Sequence, residues 1–182
     1  MENNLYNFQG AGQDSGVRPI IPATFEATAD DFETVTLTWD ETNMIADLVQ
    51  HRHGEAVAGS GTVETDETDL LIGTDTTLTD YKVGDLILIE DETVVFKIKE
   101  IIDDLNIKID KVSGNTDSGL TFSVLAEAAF SKPADVWLNE ETGEIGDLEA
   151  EKTYIFQLRV LKKFKWSDWF LLSDFVVTPA EA

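Results

Sequence analysis

Cysteine is absent from the 182 residues. This excludes a disulfide framework and a Cys-based zinc site, and it fits assembly in a reducing compartment. Positive charge is scarce: 13 Lys and Arg stand against 36 Asp and Glu, giving a net charge of −23. Binding to phosphates rests on Lys and Arg, so no direct nucleic-acid contact is expected from so acidic a chain. No apolar run approaches the ~20 residues of a membrane helix, so no membrane partner is expected. The first residues lack the basic, apolar and small-residue regions of a signal peptide. A Gly-rich phosphate loop, a Ser nucleophile elbow and a calcium loop with its Gly and terminal Glu are all missing. A glycosidase pair would need a deep cleft and a positioned partner, and the sequence offers neither. The chain is therefore expected to be no enzyme, with no catalytic residue and no cofactor. Helical period is also lacking. Residues 141–151 tempt one turn of helix, but Gly143 and Gly146 argue against it. There is no internal repeat.

What remains is strand. Val35, Leu37 and Trp39 alternate with Thr34, Thr36 and Thr38, the period of a strand with one buried face. Residues 23–27 and 45–52 read as its neighbours. The join "AVAGSG" at 56–61 changes the composition. Beyond it, short strands at 62–64, 70–72, 85–89, 94–102, 107–112 and 121–124 are separated by turn-like clusters such as "GTDTTLTD" and "SGNTDSG". Two strong strands close the chain at 154–161 and 169–177. The opening "MENNLYNFQGAGQDSGVRPIIPAT" resembles the protease-tag motif ENLYFQG. It places two residues between Tyr6 and Gln9 where that motif has one, and it is read as the natural start. Residues 1–22, polar and Gly-rich, are expected to form an extended arm with no core of its own.

Several motifs fall in a telling order. Leu37-Thr38-Trp39 is an L-x-W, Leu148 stands six residues before Tyr154, and Ser167 with Trp169 forms an S-x-W after the penultimate strand. In this order they resemble the fibronectin type III sandwich. The resemblance implies that Trp39 and Trp169 are core residues. It also implies that Leu148 and Tyr154 form a corner in which the Tyr hydroxyl returns to nearby backbone. It covers about 20–56 and 129–180, so the sandwich is interrupted after its third strand. The interrupting "KVGDLILIEDETVVFKIKEIIDDLNIKID" resembles small barrel modules of tailed-bacteriophage structural proteins. Gly84 there suits a position where a Cβ would clash or φ is positive, and Leu86, Leu88, Val95, Ile98 and Ile101 are expected to line the barrel.

The expected fold is thus all-β: a fibronectin type III-like (immunoglobulin-like) sandwich over 23–58 and 129–182, with an inserted small β-barrel over 59–128.

Three features invite chemistry. His51 and His53 share one side of a strand, a metal-ligand spacing continued by Glu55; the alternative is two solvated histidines around Arg52. Acidic groups at 90–92 and 103–104 would suit calcium, or ordinary solvated turns. Residues 159–170, "RVLKKFKWSDWF", carry four of the 13 basic residues among four aromatics. They read as the last hairpin, with Trp169 in the core and the lysines protecting an edge. They also read as a docking patch of Arg159, Lys162, Lys163, Phe164, Lys165 and Trp166. Nucleic acid is a third reading, against which the overall charge counts. The functional expectation is a non-enzymatic structural protein of a tailed-phage virion, in tail, neck or capsid, assembled in the host cytoplasm. Its partners would be other virion proteins and copies of itself. The alternative is a bacterial surface or secreted module that binds a glycan.

Overall fold

The computed structural model describes residues 18–40, 42, 44–136, 142–171 and 175–181. The strands are β1 (Phe25–Ala29), β2 (Val35–Trp39), β3 (Leu48–Glu55), β4 (Val57–Ala58), β5 (Thr62–Asp66), β6 (Leu70–Thr74), β7 (Leu86–Ile89), β8 (Phe96–Ile101) and β9 (Asn106–Ile109). They continue as β10 (Thr116–Leu120), β11 (Phe122–Leu125), β12 (Ala134–Val136), β13 (Thr142–Ile145), β14 (Thr153–Lys162), β15 (Lys165–Trp166), β16 (Phe170–Leu171) and β17 (Val176–Val177). Single turns of 3-10 helix stand at Leu78–Asp80 and Glu127–Ala129.

Two sheets face each other. One has the order β1-β2-β13. The other has β12-β3-β14, with β15, β16 and β17 paired in succession along the far side of β14. The chain changes sheet between β2 and β3, between β12 and β13 and again between β13 and β14, so each layer is built from separate stretches of the chain. This is the order of a fibronectin type III-like sandwich, and every pairing is antiparallel. Alternation on β2 turns Val35, Leu37 and Trp39 inward. Trp39 lies opposite Phe25 in the register. From the other layer come Val49, Tyr154, Phe156, Leu158 and Val160, and all of these are buried in one cluster with Ile145 and Leu148. Each such side chain contributes about 1.5–3 kcal/mol by leaving water.

Tyr154 is buried, and its Oη accepts the Glu149 N–H at 3.0 Å. Leu148 beneath it is also buried. Tyr154→Phe deletes the acceptor and strands that N–H. Urea titration is expected to show a loss of about 1–3 kcal/mol, and a change of a few tenths would mean that water already serves the amide.

Between β3 and β12, residues 57–125 form an eight-stranded sheet, β10-β5-β6-β9-β8-β7-β11-β4. β10 pairs with β5 and β11 with β7, yet only Thr121 separates β10 from β11. One bent strand therefore joins both flanks of the sheet. A second buried cluster, including Val63, Leu71, Ile87, Ile89, Phe96, Ile98 and Ile107, fills its interior.

Four expectations need correction. Leu86, Leu88 and Val95 do not line this interior. They face Ala56, Leu125 and Ile155 in a third cluster, against the sandwich. β7 reads Leu-Ile-Leu-Ile and is buried on both faces, so alternation could not tell one face from the other. Residues 18–22 are not an arm without a core. Ile20 exchanges two 3.1 Å backbone hydrogen bonds with Ile45, and Ile21 packs on the sandwich cluster. The rest of the expected arm, residues 1–17, lies outside the described residues. The last strand is not continuous from 169 to 177, for β16 and β17 pair with β14 separately and residues 172–174 lie outside the description. Trp169 is not in the core but on the outer face of its sheet, half-buried. Gly84 has φ +104°, and the nearest atom to an added Cβ would be Lys97 Cε at 3.9 Å. Backbone conformation, not crowding, selects glycine there.

Candidate interaction site

The register of β3 against β14 sorts side chains by face. Val49, His51, His53 and Glu55 share the inner side with Tyr154, Phe156, Leu158 and Val160. Gln50, Arg52 and Gly54 share the outer side with Ile155, Gln157 and Arg159. On that outer side the two arginines interleave with three aromatics. Arg52 Cζ lies 4.2 Å from the Phe130 ring centroid and 4.4 Å from that of Trp169. Arg159 Cζ lies 4.4 Å from Trp169 and 4.3 Å from Trp166. The result is one ladder, Phe130–Arg52–Trp169–Arg159–Trp166. Its guanidiniums are also held at their edges. Arg52 donates to Gln157 Oε1 at 2.7 Å and to Glu127 Oε1 at 2.6 Å, and Arg159 donates twice to Gln50 Oε1. Burial and the neighbouring Arg52 lower the Arg159 pKa, with Asp135 acting the other way. Stacking on both faces offsets that like-charge cost.

The ladder ends at a hairpin. Leu161 pairs with Trp166 and Lys162 with Lys165, so Lys163 and Phe164 alone make the turn. Their φ values are +45° and +66°. Two successive left-handed residues match the right-handed strand twist in a type I′ turn, a conformation that favours Asn-Gly. For L-residues with a Cβ it costs roughly 1–2 kcal/mol each. The Phe164 side chain is 98 % exposed. An apolar ring thus stands in water on strained backbone, flanked by lysines.

The expected docking residues therefore divide. Lys163, Phe164, Lys165 and Trp166 are exposed at the tip and the strand after it. Lys162 is committed to Asp47 at 2.5 Å, and that pair, with the Lys163 N–H, holds the Asp47 carboxyl below the usual carboxylate range. Arg159 lies within the ladder. Trp166 stacks on Arg159 rather than standing apart in solvent, so truncating it removes a structural contact as well as a surface. Sequence reading missed Arg52 and Phe130, because Arg52 stands 78 residues before Phe130 and 117 before Trp169 in the chain, and only the folded sheet brings them together.

His51 and His53 lie on the inner side, beside a cavity of about 420 Å³ bounded by Val136, Gly143 and Ile145. His51 is buried, and its Nδ1 has no hydrogen-bond partner among the described residues. His53 Nδ1 is 3.4 Å from Ser131 Oγ. Glu55, on the same side, is paired with Lys152 at 2.8 Å. Among the described residues no group of three His, Asp or Glu side chains is arranged to hold a metal ion. Of the turn acids, Glu90, Glu92, Asp103 and Asp104 are likewise occupied by hydrogen bonds. Asp103 accepts from Asn106 Nδ2 and the Leu105 N–H, and Glu90 accepts from the Thr121 N–H and Oγ1. These bonds hold both carboxyls below their usual range.

Burial lowers the pKa of both histidines, and His53 lowers His51 further. Asp135, beside the cavity, instead accepts from Gln50 on the outer face. The folded pKa values lie below the ordinary 6.5. The unfolded chain therefore binds more protons below that pH. Stability is present above about 6.5 and lost as pH falls through the folded values. Each histidine is expected to add a slope of up to about 1.4 kcal/mol per pH unit to the unfolding free energy measured by denaturant titration between about pH 8 and pH 5. His51→Gln should flatten that slope; an unchanged slope would place the titration elsewhere.

No protein family and no curated protein matches this chain. Among solved structures it is similar to a computationally redesigned β-sandwich protein, at 9 % identity and TM-score 0.43, covering 91 % of this chain and 94 % of that one. It is also similar to the FN5 domain of Drosophila Lar, at 11 % identity and TM-score 0.40, covering 90 % of this chain and 100 % of that one. The fold assignment made above stands on strand order and register.

Proposed function

We propose that this chain is a non-enzymatic structural protein of a tailed-bacteriophage particle, acting through protein–protein contacts. In this reading residues 59–128 are a small barrel nested in the sandwich and closed by the bent strand 116–125. The observation that carries the proposal is the hairpin tip. Strain at exposed backbone persists where something other than stability selects it, and an exposed aromatic among cations has the composition of an interface anchor. The acidity of the remaining surface suits a particle through which nucleic acid passes without sticking. The glycan-binding alternative calls for a row of exposed rings on the inserted unit. There Phe96 and Phe122 are buried, and Tyr81 packs edge-on against Phe122.

The test replaces the turn by the sequence its geometry prefers. Lys163→Asn with Phe164→Gly is expected to raise stability by about 1–3 kcal/mol, by relieving two strained residues. The same change is expected to lower the amount of this protein recovered in purified particles. A variant that is more stable and incorporates normally would refute the docking role, and micromolar binding of the unaltered protein to a polysaccharide array would favour the alternative.

A further inference from the structure

A shallow groove of about 480 Å³ runs between residues 19–21 and residues 167–170. Ile20, Ile21, Trp169 and Phe170 make it apolar. Both walls are fixed without anything in the groove. The Ile20 backbone is held by its paired hydrogen bonds to Ile45, and Trp169 by its stacking on Arg52 and Arg159. The Ile20 side chain is nonetheless 45 % exposed. A preformed apolar groove is stabilised by whatever apolar group covers it. The chain enters at this place, for Pro19 is part of the wall and residues 1–17 lead directly up to it.

We propose that this groove holds residues 5–8, Leu-Tyr-Asn-Phe, of the same chain. Composition selects that segment. Leu5, Tyr6 and Phe8 stand within residues 3–13, the longest stretch of this chain without a charged side chain. In a protein of net charge −23, such a stretch meets the Asp168 carboxylate on the groove without like-charge repulsion. Extended, it carries Tyr6 and Phe8 on one side, two rings for one groove. Reach selects the same chain rather than a second copy. Residues 9–18 alone join Phe8 to the groove wall, a tether of up to about 33 Å in which Gly10, Gly12 and Gly16 permit reversal. So short a tether gives the segment an effective concentration on the order of millimolar, above that of a neighbour's segment in dilute solution. The segment is then a strap beside the central rung of the ladder, and a partner that needs this face of Trp169 must displace it. This inference goes beyond the particle role and does not depend on it.

The absence of cysteine makes a clean test, since one introduced pair reports one contact. Asn7→Cys with Asp168→Cys, in the full chain under mild oxidation, is expected to form a disulfide within the monomer. Adding Tyr6→Ser and Phe8→Ser removes the rings but keeps the tether, and is expected to slow that bond roughly tenfold or more. Chymotrypsin gives an independent reading on the protein without cysteines. Cleavage after Tyr6 and Phe8 is expected to be slow, and roughly tenfold or more faster in Ile20→Glu, which puts a charge in the groove. Ile20 pairs with Ile45 through its backbone, so this variant should keep its fold, which its melting curve will verify. A disulfide that forms as fast in the serine variant, or cleavage as fast in the parent as in Ile20→Glu, overturns the proposal. Disulfide-linked dimers in place of cross-linked monomers also overturn it, and assign the groove to the segment of a second copy.

Discussion

Ile155→Ala is expected to destabilise the whole protein by about 2–5 kcal/mol, the range for a buried aliphatic truncated to leave a cavity. Ile155 is fully buried, yet it points away from the sandwich interior. Its neighbours are Leu86, Leu88, Val95 and Leu125 of the inserted unit, with Phe130, Leu171 and Phe175 alongside. The approach is close because Gly54 lies beside it, where an added Cβ would come within 2.6 Å of Leu125 Cδ1. The two units therefore share a core, and calorimetry of the unaltered protein should show coupled melting. Ile155→Ala should lower the transition and separate the two melts, whereas Ile155→Val should cost only about 0.5–1.5 kcal/mol. An alanine variant within a few tenths of the parent would mean that the third cluster holds nothing together. A consequence follows for excision. Joining residue 58 to residue 128 through a short Gly/Ser link bares Ile155, Phe130 and Leu171, so the remaining sandwich should be soluble only when Ile155 is also made Thr.

Trp169→Ala is the second large effect, expected at about 3 kcal/mol, the low end for an aromatic truncation because the ring is half-buried. Trp169 is the central rung, stacked between both guanidiniums. Its loss leaves two like charges adjacent on the sheet with no ring between them, and each lost stack removes about 0.5–2 kcal/mol. The signature that separates this from simple cavity formation is salt dependence. Added salt should recover part of the loss, because removing the ring opens the Arg52–Arg159 pair to solvent, where salt screens its repulsion. Arg52→Lys should not substitute for Arg52, since a lysine cannot present a planar face to Phe130 and Trp169 while donating to Gln157 and Glu127. Full stability in Trp169→Ala would remove the ladder as a structural element.

The sequence by itself determined the class of structure and the sandwich core. Alternation at Val35, Leu37 and Trp39 requires a half-buried strand wherever it is placed, and the run from Tyr154 to Val160 requires another. The spacing of Leu148 and Tyr154 is local, so the corner could be read from a few adjacent residues. The acidity and the want of cysteine are composition and need no fold. What lay beyond reach had two physical causes. Where a strand is apolar on both sides, as in Leu86–Ile89, period 2 carries no direction, and only the neighbouring unit decides which residues face the barrel-like interior and which face Ile155. Short strands such as β12 and β13, and β10 with its Ser-Gly, hold their pairing from partners rather than from propensity. The candidate site divides in the same way. The basic, aromatic run at 159–170 was plain in the sequence. That Trp169 leaves the core to lie between Arg52 and Arg159, and that Phe164 stands exposed on left-handed backbone, was decided by the register of β14 against β3 and β15. Register is a property of pairs of strands, and no strand contains it alone.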